Sequence, residues 1–301
     1  MAVKTVGYSA LEPGKTLGVM GAVHGNERCG AEAIARLIAG LDSGAVVLSR
    51  GSLQLMPIAN PKAYEKGVRF IERNLNRYLH PKETRTHYED HLDPIVCAFL
   101  DKVDVLLDLH SYTSQGGPFV FLGGADSDEV RFARALGVRD FVYGWAEAYG
   151  GGGGKGSDKE SQGTTEYTRL NGALAVTLEC GQHQNADAAD IGYRAILRAL
   201  QHFGMLDAGC PAALALATEQ AVSAGEQRCV KMQRVYYGEQ DAVFAKPWRH
   251  FDFVAKGDPM ALLAGGRALA APADGHIILP KANVGVGDEW FYFGVPAAFP
   301  A

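Results

Sequence analysis

Between residues 17 and about 206, short apolar runs take turns with stretches of helical periodicity, and that alternation limits the possible folds more than any other feature of the chain. "TLGVMGAVHG", "GSLQLMPIANP", "VDVLLDLHS", "PFVFLGG" and "GALAVTLECG" read as strands. "ERCGAEAIARLIAGL", "DPIVCAFLDK", "DEVRFARALGV" and "AADIGYRAILRALQHFGML" carry apolar residues at helical spacing. Strands alternating with helices imply an α/β domain built on a mostly parallel or mixed sheet. Past about residue 226 the texture changes: "RCVKMQRVYYG", "FDFVAKGD", "GHIILP" and "EWFYFG" are short strand-like runs cut by Gly, Pro and Asp. The expected organisation is therefore an α/β domain over 1–208, an alanine-rich linker over 209–226 and a smaller all-β domain over 227–301.

The 301 residues suffice for a sizeable core, and the net charge of -5 argues against a dedicated nucleic-acid binder, which would carry a basic excess. No window resembles a membrane span, and the first residues lack the apolar core of a secretory signal. Five cysteines, with no C-x-x-C pair among them, suit reduced thiols in a cytoplasm better than a disulfide framework. Any metal would have to be held by His, Asp or Glu.

In open α/β sheets, ligands bind beyond the carboxyl ends of the strands. His24, His110 and Glu179 each fall at or just after such an end, although they come from distant segments. "GAVHGNERCG" has two readings. Asn26 can cap a helix with Glu27 in its first turn, or His24 and Glu27 can supply two ligands of a metal site. His110, in "LLDLHS", would be the third ligand, with Asp108 two residues back on the same strand face to orient it. Two histidines and one carboxylate, with a position left for water, form a hydrolytic zinc donor set. Strand interiors avoid acids, so Glu179 in "VTLECG" fits a pocket and the work of a general base. In "NPKAYEKGVRFIERNLNRYL", Arg69, Arg73 and Arg77 recur every four residues, as on a solvated helix face. Asn74 and Asn76 disfavour a helix, however, and a loop holding an Asn and an Arg can grip a carboxylate.

Other features carry less. The five glycines from Gly150 are followed by Lys155 and Gly156, not by the Ser or Thr that a phosphate loop needs after its Lys, so the stretch reads as a surface loop or a gating lid. His87 and His91 in "HYEDH" lie among charges, as on a solvated face, and Lys231 in "CVKM" is a poor biotin acceptor. His183 is near enough to Glu179 in sequence to reach a substrate.

Taken in order, "HGNE", "NP" followed by "RFIERNLNR", "DLHS" and "TLECG" resemble the succinylglutamate desuccinylase/aspartoacylase family, a branch of the zinc carboxypeptidase superfamily, and the likeness extends into the C-terminal third. The resemblance implies a carboxypeptidase-like mixed sheet flanked by helices. It also implies one zinc ion per chain on His24, Glu27 and His110, with Glu179 as general base. Arg69 would polarise the scissile carbonyl, and Asn76 and Arg77 would hold the carboxylate of a small substrate. Tyr167 and Arg169 are further candidates for substrate contact. Several relatives carry "DLNR" where this chain has "NLNR", so Asn74 stands in place of an acid. The activity implied is hydrolysis of an N-acyl amino acid or a similar small amide. A carboxypeptidase acting on peptides and a metal-dependent binding protein without turnover are the alternatives.

Overall fold

The computed structural model describes residues 2–124, 126–145, 147–148, 162–219, 222–223 and 225–300. Its spine is β4 (Val105–Tyr112), in which every residue is buried, as expected of a strand covered on both faces. On one side β4 pairs in parallel with β2 (Glu12–Gly21), and β2 in turn with β3 (Arg50–Met56); β1 (Val6–Ser9) closes that edge antiparallel to β3. On the other side β4 pairs in parallel with β7 (Leu174–Gln182), which is followed by β5 (Phe119–Phe121) and β6 (Asp140–Tyr143). Both β1 and β6 are only four residues long, too short to stand out in the sequence.

The sheet does not end there. β8 (Arg228–Tyr237) pairs in parallel with β6, and β14 (Glu289–Ala297), β13 (Gly275–Ile278) and β10 (Asp252–Val254) continue from it, giving one mixed sheet of eleven strands among the described residues. β9 (Val243–Phe244), β11 (Pro259–Leu262) and β12 (Ala268–Ala270) form a separate three-stranded sheet. The expected α/β fold with a second, β-rich C-terminal region is what the chain adopts. The alanine-rich stretch contains a helix, Pro211–Ala217, whose Ala212, Ala213 and Leu216 are buried in the main core.

Helices Cys29–Ser43 and Ala188–His202 pack against each other and on the sheet. A second apolar cluster, which includes Leu75, Leu79, Val96, Phe99 and Leu106, lies under helix Asp93–Leu100. Among the described residues no helix is long and apolar enough to cross a membrane. The glycine-rich segment 150–156 lies outside the described residues.

Candidate metal centre

The register fixes the site. Met20 and Gly21 of β2 lie opposite Asp108 and Leu109 of β4, and His110 lies opposite Glu179 of β7, so the carboxyl ends of three parallel strands converge. Leaving β2, the chain passes through Ala22, held at φ 48°, into a turn closed by the Glu27 N–H donating to the His24 carbonyl. The helix begins only at Cys29, so neither Asn26 nor Glu27 belongs to it. Gly25 permits a close approach: a Cβ there would lie 2.0 Å from the Ala63 carbonyl carbon, and its N–H donates to the Arg69 carbonyl at 3.1 Å. The turn is thereby pressed onto helix Pro61–Lys66, which Asn60 caps through its side chain with Pro61 in the first position.

His24, Glu27 and His110 are buried, and each offers a ligand atom within 4.8 Å of the others. Both imidazoles turn Nδ1 toward the same carboxylate. His24 Nδ1 is 2.8 Å from Glu27 Oε1, without the alignment of a hydrogen bond, and His110 Nδ1 is 2.8 Å from Glu27 Oε2. The far nitrogens are held from behind: His24 Nε2 by Asn74 Oδ1 and His110 Nε2 by Asp108 Oδ2, each at 2.9 Å. Such outer partners fix the ring and direct the other nitrogen's lone pair inward, which is how metal-ligating histidines are held. Asp108 also accepts from the Thr164 hydroxyl. A buried His24 Nδ1 with no hydrogen-bond partner, facing a carboxylate and a second imidazole, fits a divalent cation of the zinc type.

The two histidines differ electrically. Burial and the nearby Arg69 guanidinium lower His24 to about 4, so it is neutral and ready to ligate. Burial also acts to lower His110, but the carboxylates of Asp108 and Glu27 outweigh it and hold it well above its usual value. A metal and a proton therefore compete for His110 Nδ1. Glu179 is 9% exposed, and its Oε2 has no hydrogen-bond partner. Burial, and then the Glu27 charge, push it up to about 8; a bound dication would draw it down.

Arg69 Nη1 donates to Glu27 Oε1 at 2.8 Å, and its side chain remains 46% exposed toward the cavity. The cavity has a volume of about 690 Å³, and Asn76 and Arg77 are also on its wall. Asn76 Oδ1 accepts from the Thr164 N–H at 2.9 Å, so its amide nitrogen is the atom that could donate to a ligand. The loop that carries these residues is anchored by an acidic cluster the sequence did not reveal. The buried Glu89 accepts from the N–H groups of Ile71, Glu72 and Arg73, while Arg73 pairs with Asp90 and Asp93. "HYEDH" is therefore no solvated face, although His87 and His91 themselves are exposed.

Of the other candidates, His183 is on the cavity wall, its Nδ1 2.8 Å from Ser111 Oγ. Arg169 reaches the wall, but its guanidinium donates to Glu129 and to the Ala175 carbonyl. Tyr167 is not on the wall; its hydroxyl donates to Asp101. Lys231 pairs with Glu147. The cavity residues Phe244, Trp248, Lys281 and Glu289 were not anticipated. They come from the β-rich region, and nothing local in the sequence marks them.

Strand ends that gather two imidazoles and a carboxylate on a mixed α/β sheet define an α/β protein with a candidate metal centre. The chain belongs to the succinylglutamate desuccinylase/aspartoacylase family, whose catalytic-domain model matches residues 13–203. It is 35% identical over 118 residues to a probable aspartoacylase of Nostoc sp., covering 36% of this chain and 39% of that one. To the aspartoacylase of Rattus norvegicus it is 34% identical over 133 residues, covering 40% and 41%. The matched stretches thus span about two fifths of these curated relatives. Among solved structures, it is similar to a succinylglutamate desuccinylase/aspartoacylase from Rhodobacter sphaeroides, with TM-score 0.74 and 21% identity over 96% of this chain and 87% of that one. It is also similar to the product-bound ectoine utilization protein of Ruegeria pomeroyi, with TM-score 0.69 and 21% identity over 94% and 86%. At such identity these structures speak for the fold alone.

Proposed function

We propose that the protein is a zinc-dependent deacylase that hydrolyses the amide bond of an N-acyl amino acid, or a similar small carboxylate-bearing amide, to an acid and an amine. The observation that carries this reading is the buried His24, Glu27 and His110 cluster with the Glu179 carboxyl one strand away. Family membership supports it independently. Held by those three residues, zinc would act as a Lewis acid toward the scissile carbonyl and acidify a water.

The chain's own groups would do the rest. Arg77 and the Asn76 amide nitrogen bind the substrate carboxylate and so place the scissile carbonyl at the strand ends. Glu179 takes a proton from the attacking water and returns it to the departing amine nitrogen, a role suited to a carboxyl in low-dielectric surroundings. Arg69 sets a guanidinium against the carbonyl oxygen as it gains negative charge. Asp108 and Asn74 keep the two imidazoles oriented. Five free, buried cysteines support a reducing, cytoplasmic setting.

The reading is tested by metal analysis and turnover of a panel of N-acyl amino acids. The wild type should hold about one zinc per chain, and His110→Ala should lose it. Glu179→Gln should keep the metal and lose turnover by at least about 100-fold. Wild-type protein without stoichiometric metal, or with metal but no amide hydrolysis, would overturn the reading.

A further inference from the structure

The candidate metal centre has two polar sides. The imidazoles turn Nε2 toward Asn74 and Asp108, and beyond these lie Thr164 and the Asn76 amide. They turn Nδ1 toward Glu27. Behind that carboxylate are Ser111, whose N–H donates to Glu27 Oε2 at 3.2 Å, and Asn26, the residue before Glu27. His183 joins the two: its Nδ1 is 2.8 Å from Ser111 Oγ and its Nε2 3.5 Å from Asn26 Nδ2. All three side chains line the cavity. An amide carries its amine half and its acyl half on opposite sides of the scissile bond. With the carboxylate of the amine half at Asn76 and the carbonyl at the strand ends, the acyl group faces Ser111, Asn26 and His183.

The protons of this cluster decide what it can hold. An amide nitrogen only donates, so His183 Nε2 accepts from Asn26, and the ring proton is assigned to Nδ1, which donates to Ser111 Oγ. Burial keeps His183 below its ordinary value, so the ring is neutral. Ser111 then retains its own O–H as a donor. Asn26 Oδ1 is buried and, among the described residues, has no hydrogen-bond partner. One donor and one acceptor thus flank a single imidazole. A neutral group that both accepts and donates satisfies the pair. A carboxylate has no proton to give Asn26 Oδ1, and an alkyl group satisfies neither atom. The wall runs on from Ser111 through Thr113, Ser114 and Gln115 without a charged side chain, and Arg69, whose charge reaches His183, is paired with Glu27.

Resting on the deacylase reading above, we propose that the acyl group of the substrate bears a neutral carboxamide or hydroxyl, held between Ser111 Oγ and Asn26 Oδ1, with His183 as the positioning residue that sets both.

The test compares acyl isosteres on the zinc-loaded full-length protein: N-succinamoyl against N-succinyl and N-isohexanoyl, and N-glycolyl against N-propionyl, each on glycine, phenylalanine, aspartate and lysine. In at least one of the two sets, kcat/KM for the carboxamide or hydroxyl member should exceed that of its isosteres by about 100-fold or more, because a site that hydrogen-bonds a substrate group rejects the analogue lacking it. The set that responds tells carboxamide from hydroxyl. Ser111→Ala and His183→Ala should each reduce that ratio by about tenfold or more. His183→Asn, whose amide nitrogen takes the place of Nδ1, should retain more of the ratio than His183→Ala. A ratio taken within one variant is unaffected by loss of folded or metal-loaded protein. The same ranking should appear in Kd measured by calorimetry on Glu179→Gln, where binding is separated from turnover. Isosteres treated alike in both sets, a preference for the succinyl derivative, or a ratio unmoved in Ser111→Ala overturns the inference and leaves the deacylase reading standing. No turnover of any derivative overturns both.

Discussion

Asn74 accepts from His24 Nε2 at 2.9 Å and also receives the Asn76 N–H at 2.9 Å, so one side chain orients an imidazole of the candidate metal centre and shapes the loop proposed to hold the substrate carboxylate. An aspartate there would do both with a full charge and make His24 more electron-rich. Outer partners of this kind are worth about 10–100-fold in metal affinity. Asn74→Ala is expected to weaken zinc binding by that order and Asn74→Asp to strengthen it, as read by competition with a chromophoric chelator. Glu179 supplies a second residue-scale expectation. In metal-free protein its native value is about 8, against 4.5 for an ordinary glutamate, so between those pH values the folded state holds a proton that the unfolded state has released. Stability contributed by that proton is present at low pH and lost as pH rises toward 8. Glu179→Gln removes the cost of burying the charge. After chelation it should melt higher than wild type at pH 8.5, by up to about 4–5 kcal/mol in stability, with the gap closing near pH 5. An unchanged difference at the two pH values would exclude burial of the charged form as the cause. His24, His110 and Glu179 were legible because each lies among the last residues of a recognisable strand or just after it. The sequence also singled out Asn74, yet its bond to His24 depends on a loop path that spacing does not give.

At the scale of elements, the loop 67–77, proposed to hold the substrate carboxylate, has no regular structure of its own, and borrowed hydrogen bonds fix its shape. Glu89 is fully buried and takes three consecutive backbone N–H groups together with Asn60 Nδ2. Replacing it by glutamine puts an amide donor where an acceptor is needed, leaving a buried N–H unpaired at about 1–3 kcal/mol. Glu89→Gln is therefore expected to lower the melting temperature and to raise KM by about tenfold through a displaced Arg77, with metal content intact. A raised KM without any change in melting temperature would show that Glu89 does not hold the loop. The acids of "HYEDH" look solvated because the partners of Glu89, and the Arg73 that pairs with Asp90, lie 16 to 29 residues upstream on a loop. Charge patterning reads neighbours along an element, not a loop folded over it. The alanine-rich stretch after residue 208 is opaque for a related reason: its helix is short and uncharged, and only docking on the main core makes it an element.

For the whole molecule, the change of texture near residue 226 is real as local architecture, since the described chain beyond it is strands and turns with a single short 3-10 turn. Packing, however, runs across that point. Tyr112, Phe119 and Val142 share one buried cluster with Val230, Met232, Phe251, Ile278 and Tyr292, and Phe299 meets Phe141 at 5.0 Å. The sheet is continuous through the β6 and β8 pairing, and Arg228 binds Asp140 across it. Separating the regions would expose both halves of that cluster and an unpaired strand edge, a known route to aggregation. The two regions are expected to unfold together. Calorimetry of the metal-free protein should give one transition with a van't Hoff enthalpy close to the calorimetric one, on the order of 200 kcal/mol for a chain of this length. Two transitions of roughly 150 and 50 kcal/mol would instead mark independent units. The same coupling reaches the site, because Glu289 and Tyr292 stand on β14, one ring contact from Trp145. A chain ending at residue 226 should therefore be insoluble, or should fold without a closed cavity and lose at least about 100-fold in kcat/KM.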